Sequence, residues 1–343
     1  MTLLKGLAKA ICSTASEHLP RAHASHGQDS VSEPGRDYTG WFVRLIFLGS
    51  PSFAVPSLAA LQSAGHDVAL VVTQPDRPAG RGQRTTPSAV AAYARAHDLS
   101  LWQTTSVRGA EAETRLRAMD AEVMALAAFA ALIPNNVLQI APILNVHPSL
   151  LPRWRGAAPI QAALLAGDTE TGVSIIRLVQ ALDAGPILLQ EHVPIAPRDD
   201  YVTLEPRLAE LGARLLLEAL GRDSAVPQDD AQATYCKRIE REDARIDWSQ
   251  PAETIWNQVR AYRAWPQAFT TWDERLLKIL RAWPVAGSGP PGTVTLQDGQ
   301  PIVAAGRGSL RLDEVVLEGR RPQSGAEFAR GYPRFNGATL RVA

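Results

Sequence analysis

The spacing of hydrophobic and polar positions changes repeatedly along the chain after Val43. Four short runs are apolar at nearly every position, as in strands buried on both faces, and they cover Val43–Leu48, Asp67–Thr73, Val123–Ala128 and Ile143–Val146. Segments with apolar residues at helical spacing lie between them, at Phe53–Ala64, Ala89–His97 and Pro134–Ile140. Buried strands separated by helices predict an α/β domain with a Rossmann-like, doubly wound and mostly parallel sheet.

The pattern changes beyond a predicted helix at Leu204–Leu220, which Pro206 interrupts early. Gly221–Ala233 is polar and rich in turn residues, as is typical of a linker. After a predicted helix at Ile255–Tyr262, short apolar stretches separated by Gly and Pro follow at Ala268–Trp272, Leu277–Ala282, Gly292–Leu296, Ile302–Ala305 and Ser309–Leu317. These stretches predict a small β-barrel domain. We therefore expect a catalytic domain at 43–227, a linker at 228–248 and a barrel domain at 249–343.

Residues 1–42 carry no clear hydrophobic period in their second half and no good secretory signal. Three interpretations remain: a disordered extension, a transit-type presequence, or residues ahead of the true start. One hypothesis is a start at Val43, because the fold pattern begins there abruptly and Arg outnumbers Lys by 31 to 4, which suggests GC-rich coding. The protein is expected in a bacterial cytoplasm, or in an organellar matrix if the presequence is genuine.

Composition narrows the class of protein. With 343 residues, of which 45% are hydrophobic and 20% charged, the chain has material for two globular domains. No apolar run approaches the ~20 residues that span a membrane, so a soluble protein is expected. Cys12 and Cys236 are too few and too far apart for a disulfide framework or a cysteine zinc site. The first turn, Gly49–Phe53, lacks the G-x-G-x-x-G pattern, which disfavours a nicotinamide-dependent enzyme.

The formal net charge is zero, but the charges are unevenly distributed. Residues 249–343 hold twelve basic and eight acidic side chains, whereas residues 42–248 hold 19 basic and 23 acidic ones. A basic C-terminal domain beside an acidic catalytic domain suggests a polyanionic partner, although an ordinary solvated surface gives the same counts.

The densest candidate chemistry follows the fourth predicted strand. Asn145 and His147 straddle the end of this strand, and the side-chain period of two puts both on one face. The amide can donate to an oxygen that gains charge, and the imidazole can relay a proton, which suits acyl transfer. A histidine at a strand end is also typical of a structural hydrogen bond. Asp183 lies in a Gly-Pro turn and either orients His147 or forms an Asx turn with its own backbone.

A cationic loop follows the second predicted strand. Among its prolines and glycines it carries three arginines, namely Arg77, Arg81 and Arg84. One guanidinium group can bind two phosphate oxygens at once. The loop is therefore better explained as a phosphate-binding loop than as an ordinary exposed one. Arg153 and Arg155 are expected to add positive charge near the same crevice.

Several motifs resemble the formyltetrahydrofolate-dependent formyl transferases. They are NVHPSLLPRWRGAAPIQ from Asn145 onward and LDAGPI, whose Asp183 lies 38 residues after Asn145. A narrower resemblance, to the methionyl-tRNA formyltransferases, rests on RLIFLGSPSFAVPSL, TQPDRPAGRG, TGVSI, ARIDW, AWPQAFT and PGTV. Together the motifs reach from about Val43 to the C-terminus, in the same order and with near-matching spacing.

The resemblance implies an enzyme that transfers a formyl group from 10-formyltetrahydrofolate to methionyl-initiator-tRNA for translation initiation, as a monomer. No metal is expected, because a formyl carbon activated by hydrogen-bond donors is already a competent electrophile. The family's catalytic trio matches Asn145, His147 and Asp183. Its folate-binding segments match Ser149, Leu150, Leu151, Pro152, Phe129, Ala130 and Ile133. Arg81 matches a loop residue that engages the acceptor end of the tRNA, and Arg77 and Arg84 are expected beside it. The C-terminal domain matches an OB-like barrel that holds the tRNA body.

The chain departs from the family pattern at Ala130, where glycine is usual, at Ser52, where an acidic residue is usual, and at Gln83, where lysine is usual. These changes bear on substrate affinity, because a methyl group at residue 130 restricts a loop beside the expected pterin pocket. The expected reaction is direct attack of the α-amino group on the formyl carbon, through a tetrahedral intermediate held by Asn145 and His147. Two alternatives remain: transfer to a small amine, such as a sugar nucleotide or a ribonucleotide, and a tRNA-binding protein with an inactive centre.

Overall fold

The computed structural model describes residues 42–79 and 84–341. The extension expected at residues 1–42 therefore lies outside the described residues, apart from Phe42. The strands are β1 (Arg44–Gly49), β2 (Asp67–Thr73), β3 (Arg77–Ala79), β4 (Arg84–Thr86), β5 (Leu101–Gln103), β6 (Val123–Ala127), β7 (Ile143–His147), β8 (Arg155–Gly156), β9 (Glu170–Arg177), β10 (Ile187–Pro194), β11 (Tyr235–Cys236), β12 (Phe269–Trp272), β13 (Arg275–Val285), β14 (Val294–Gln297), β15 (Gln300–Ala304), β16 (Ser309–Leu317) and β17 (Gln323–Ser324). The α-helices are α1 (Val55–Ser63), α2 (Ala89–Ala96), α3 (Ala110–Arg117), α4 (Asn135–Leu138), α5 (Pro159–Ala166), α6 (Tyr201–Ala219), α7 (Ala252–Ala261) and α8 (Gly325–Gly331).

The first sheet has seven strands in the order β10-β9-β7-β6-β1-β2-β5. Strands β5, β2, β1, β6 and β7 are parallel, whereas β9 runs antiparallel to β7, and β10 runs antiparallel to β9. The predicted Rossmann-like, mostly parallel sheet is therefore confirmed, with an antiparallel edge that the sequence did not indicate.

The direction of strand order reverses between β1 and β6. In sheets of this kind, ligands bind outside the carboxyl ends of the strands near such a reversal. The side chains of β1 alternate between two cores: Leu45 and Phe47 pack with the residues of α1 and α6, and Ile46 and Leu48 pack with those of α3 and α4. Because helices cover both faces, the open end of the sheet is left for a site.

Helix α6 begins with a capping box at Asp200. The Asp200 carboxylate accepts hydrogen bonds from the amides of Val202 and Thr203, and the Thr203 hydroxyl accepts one from the Asp200 amide. The expectation that Pro206 interrupts this helix is wrong, since Pro206 lies inside it. Its fixed φ is compatible with a helix, and the buried face continues past it through Leu208. None of the helices that the described residues form is long and apolar enough to cross a membrane.

The second sheet is antiparallel, in the order β12-β13-β16-β15-β14, and β17 pairs with β16. The register between β13 and β16 shifts twice, around Ile279, Arg281 and Ala282, and such bulges bend a long strand. Helices α7 and α8 pack against this sheet around a core that includes Phe328 and Phe335. The predicted OB-like β-barrel is confirmed as a curled antiparallel half-barrel.

The segment between the two sheets contacts the first domain. The backbone of β11 pairs in parallel with β8, and the Thr234 amide donates to the carbonyl oxygen of Pro152 at 3.2 Å. Arg155 and Gly156 of β8 follow the strand that carries Asn145 and His147. Side chains of this connecting segment are therefore within reach of the expected catalytic residues.

Candidate active site

Asn145 and His147 lie on β7, which is hydrogen-bonded on one side to β6 and on the other to β9. Both side chains are buried, with 6% and 4% of their surface exposed. Their neighbours Leu144 and Val146 face the core beneath α6, so the alternation of the strand places Asn145 and His147 on the opposite face. The predicted common face is therefore present, and it comes at the carboxyl end of a strand beside the reversal.

The Asn145 carboxamide is not engaged by the rest of the described chain. Among residues 42–79 and 84–341, none makes a hydrogen bond with this side chain. A carboxamide without a protein partner can hydrogen-bond to solvent or to a bound ligand. Asn145 is therefore available to donate to a bound molecule.

The two ring nitrogens of His147 have different surroundings. Nε2 lies 2.9 Å from the carbonyl oxygen of Trp154, which only accepts, so Nε2 carries a proton and donates it. Nδ1 lies 3.8 Å from Oδ2 of Asp183. The separation is longer than a hydrogen bond, and at this distance a carboxylate attracts a charged ring. The fold thus brings His147 and Asp183 together across 36 residues of sequence.

Asp183 is held in an unusual conformation. Its φ is +48°, in the left-handed backbone region that residues other than glycine adopt less often. Its Oδ2 accepts a hydrogen bond of 2.8 Å from the amide of Gly156, and its carbonyl oxygen accepts one of 2.7 Å from Gln228. Because the carboxylate binds an amide 27 residues away, the alternative of a purely local Asx turn does not describe this residue.

Arg153 and Arg155 do not add free positive charge to the crevice, so that expectation is wrong. Arg153 makes a bidentate ion pair with Asp168, and its guanidinium group stacks over the ring of Trp154. Arg155 is 2% exposed and pairs with Asp230 at 2.7 Å. The sequence could not show these ion pairs, because the carboxylates come from residues 15 and 75 positions away.

The expected folate segment Ser149, Leu150, Leu151 and Pro152 is held rigidly beside the trio. The Ser149 hydroxyl is fully buried and donates to the carbonyl oxygen of Arg153 at 2.6 Å. The hydroxyl of Ser174 on β9 donates to the carbonyl oxygen of Ser149 and accepts from the amide of Leu151. The Ser149 side chain is therefore used in shaping this segment, while Leu150 and Pro152 stay half-buried at its surface.

The second expected folate segment follows β6, the strand next to β7. Phe129 and Ile133 are half-buried against the core of the α3 face, and Ala130 is exposed. Leu132 between them is 69% exposed. The loop thus offers an apolar surface at the same edge of the sheet as Asn145.

The cationic loop is a β-hairpin formed by β3 and β4, directly after the carboxyl end of β2. Arg77 lies at its start and donates to Oε1 of Gln74 at 2.9 Å, with no carboxylate partner among the described residues. Arg84 begins β4 and pairs through its backbone with Ala79. Arg81 lies outside the described residues, as does Gln83. The sequence predicted a loop here because Pro, Gly and Arg obscure strand alternation.

Two further features concern metals and thiols. In the part of the chain that the structure describes, no group of three or more His, Cys, Asp or Glu side chains is arranged to hold a metal ion. Cys236 lies behind the site, where its thiol contacts the carbonyl oxygens of Trp154 and Arg155. Burial raises the pKa of this thiol, and the charge of Asp183 raises it further. Cys236 is therefore kept as a neutral thiol at neutral pH.

The sequence reasoning missed two residues of this site, Gly156 and Gln228. Gly156 stood within the motif that carried the resemblance, and its backbone amide gives no signal in a sequence. Gln228 lies in the segment expected to be a linker, 45 residues beyond Asp183. Only the fold reveals that it contacts the Asp183 loop.

Two stretches of the chain match known protein families. Residues 43–220 match the formyl transferase family, and residues 238–333 match the formyl transferase C-terminal domain. A protein of Dechloromonas aromatica named methionyl-tRNA formyltransferase is 45% identical, over 85% of this chain and 96% of that protein. A protein of the same name from Acidiphilium cryptum is 44% identical, over 87% of this chain and 100% of that protein.

Solved structures share the fold at lower identity. An N-formyltransferase from Helicobacter canadensis, in complex with folinic acid and dTDP-3-aminofucose, gives a TM-score of 0.60 at 17% identity, over 79% of this chain and 99% of that one. HypX from Aquifex aeolicus, in complex with tetrahydrofolic acid, gives a TM-score of 0.57 at 18% identity, over 86% of this chain and 48% of that one. At these identities the likeness concerns the fold alone.

Proposed function

The chain belongs to the family of methionyl-tRNA formyltransferases, and we propose that it transfers the formyl group of 10-formyltetrahydrofolate to the α-amino group of methionyl-initiator-tRNA. The observation that carries this proposal is the trio at the end of β7, where the unpaired Asn145 carboxamide stands beside a His147–Asp183 pair. An amide donor without a protein partner next to a proton-relaying pair suits acyl transfer.

In the proposed reaction, the free amine attacks the formyl carbon and negative charge develops on the formyl oxygen. Asn145 donates to this oxygen through its NH₂ group. When its ring is charged, His147 adds a second donor through Nδ1, the ring nitrogen that the Trp154 carbonyl leaves free. The Asp183 carboxylate stabilises positive charge on the ring while a proton passes from the attacking amine to the departing folate nitrogen.

The donor folate is a substrate, and the chain offers a fitting surface for it. The exposed Leu132, with Phe129 and Ile133 half-buried beneath, forms an apolar edge on which a flat ring can lie. The segment from Ser149 to Pro152 is held rigid on the other side of β7. We propose that these two segments orient the folate so that its formyl carbon faces Asn145.

For the acceptor, tRNA is favoured over a small amine by two features of this chain. The relatives that are 44–45% identical over most of the chain carry the name methionyl-tRNA formyltransferase. The cationic hairpin begins with Arg77, which has no carboxylate partner among the described residues, and guanidinium groups suit phosphate contact. We propose that Arg77, Arg81 and Arg84 meet the acceptor end and that the curled half-barrel holds the tRNA body.

One assay tests the acceptor. The purified protein is incubated with labelled 10-formyltetrahydrofolate and, separately, with methionyl-initiator-tRNA, methionyl-elongator-tRNA, unacylated tRNA, an amino-sugar nucleotide and an amino ribonucleotide. The proposal predicts label on methionyl-initiator-tRNA, and none on unacylated tRNA, which lacks the amine. Transfer to a small amine alone would replace the proposed acceptor, and binding of tRNA without transfer would indicate an inactive centre.

A further inference from the structure

The side-chain amide of Gln228 forms hydrogen bonds through both its nitrogen and its oxygen, next to the candidate active site. Its Nε2 donates to the carbonyl oxygens of Asp183 and Gly185, both at 2.7 Å. Its Oε1 accepts from Nε and Nη2 of Arg155, at 3.0 and 2.8 Å. One glutamine thus ties the loop that carries Asp183 to the strand β8.

Arg155 is a fixed anchor for this glutamine. Its side chain is buried, and besides the two bonds to Gln228 it makes the 2.7 Å ion pair with Asp230. The next residue, Gly156, donates its amide to Oδ2 of Asp183 at 2.8 Å. Asp183 is therefore held from two directions, through its main chain by Gln228 and through its carboxylate by Gly156.

Asp183 needs this support. Its left-handed backbone is less favourable than a right-handed one, and the bond from Gln228 to its carbonyl oxygen helps to hold it. The carboxylate must also keep its place 3.8 Å from Nδ1 of His147, because displacements of ~1 Å in a catalytic group cost ~10²-fold in rate.

We propose that Gln228 is a positioning residue for Asp183, which makes the segment between the two sheets a working part of the active site. This inference rests on the proposed function, since Asp183 is the group that Gln228 serves. Gln228 is half-buried, while its neighbours Val226, Asp229 and Asp230 are exposed. The side chain therefore contributes little to a core and much to the geometry of one carboxylate.

The first test compares Gln228→Ala with Gln232→Ala. Gln232 is a matched control in the same segment, and among the described residues its side chain hydrogen-bonds to the nearby Asp229 alone. Gln228→Ala should lower kcat for formyl transfer by about ten- to a hundredfold, with KM for folate and tRNA within about twofold. Gln232→Ala should retain the wild-type kcat. A Gln228→Ala enzyme with the wild-type kcat, or one whose loss appears in KM alone, would overturn the inference.

A double-mutant comparison separates positioning from a general structural role. If Gln228 acts through Asp183, adding Gln228→Ala to Asp183→Ala causes no further loss of single-turnover rate. A structural role would lower the rate by the same factor in both backgrounds. Gln228→Glu provides a second variant that keeps the acceptor towards Arg155 and removes the donor to the Asp183 loop. It should lose kcat as Gln228→Ala does.

A measurement without catalysis distinguishes failure of this inference from failure of the proposed function. The Gly156 amide is bonded to the Asp183 carboxylate, so its hydrogen exchange reports where that carboxylate lies. Exchange at Gly156 should be about tenfold faster in Gln228→Ala than in wild type or Gln232→Ala. An unchanged Gly156 amide would contradict the inference even in an enzyme that transfers formyl groups, and a faster one would support it even if the acceptor were different.

Discussion

Replacing Asn145 by alanine separates catalysis from stability in this protein. The carboxamide is 6% exposed, and no described residue binds it. Its removal therefore leaves no partner unsatisfied in the described structure, and the backbone pairing of β7 with β6 and β9 is retained. Because the carboxamide has no partner among the described residues, Asn145→Ala should leave the free energy of unfolding nearly unchanged.

The loss of activity should be large. Removing one donor to a developing oxyanion costs about 2.7–4 kcal/mol of transition-state stabilisation, or about 10²–10³ in kcat. Asn145 and His147 are the two donors in the proposed reaction, so Asn145→Ala keeps one of them. Residual transfer above background is therefore expected.

Single-turnover transfer from 10-formyltetrahydrofolate to methionyl-initiator-tRNA measures the loss, and urea denaturation measures stability. Asn136→Ala is the matched control, because the Asn136 side chain binds Glu113 and makes no hydrogen bond to the trio among the described residues. It should leave transfer unchanged. Asn145→Ala with a rate within tenfold of wild type would refute the proposed role, and so would an activity loss that merely follows unfolding.

Three further predictions concern other parts of the molecule. Gly156→Ala should lower stability by more than about 1 kcal/mol in urea denaturation and impair transfer, because Gly156 has a φ of +119° and an added Cβ would lie 2.2 Å from the Cys236 carbonyl oxygen. Arg77→Ala should weaken tRNA binding and reduce the slope of log affinity against log salt by about one, and an unchanged slope would argue against a phosphate contact. Burial raises the pKa of Asp199, but a backbone amide and Arg207 outweigh it, so the pKa lies below its ordinary 3.8. Asp199 thus stabilises the fold above about pH 4 and loses this effect as pH falls further, and Asp199→Asn should flatten the acid limb of stability against pH.

The central strands could be predicted because each is a continuous apolar run. Strands β1, β2, β6 and β7 are buried on both faces, and their sequences show it directly. Helix α3 was missed because AEAETRLR buries only two of its eight residues. Strands β9 and β10 were not predicted, and an apolar run carries no information about whether its neighbour is parallel.

The reactive residues of the candidate site could be predicted from the sequence, but most of the contacts that hold them could not. The spacing of Asn145 and His147 gave their common face. Asp183 was already a candidate to orient His147, and the resemblance placed it in the catalytic trio. Contacts between distant segments gave no such signal. Arg155 pairs with Asp230, and Gln228 donates a hydrogen bond to the carbonyl oxygen of Asp183. Sequence reasoning can therefore identify reactive groups more readily than the residues that hold them in place.

The most direct test of the central claim is the rate of formyl transfer to methionyl-initiator-tRNA at saturating folate and tRNA, compared between wild type and Asp183→Ala. Saturation removes differences in binding, so the ratio reports the chemical step that the trio is proposed to catalyse. We expect formylmethionyl-tRNA from the wild-type protein and a loss of at least about 10²-fold in a folded Asp183→Ala variant. Equal rates from the two proteins, or no formylmethionyl-tRNA from the wild type, would contradict this expectation.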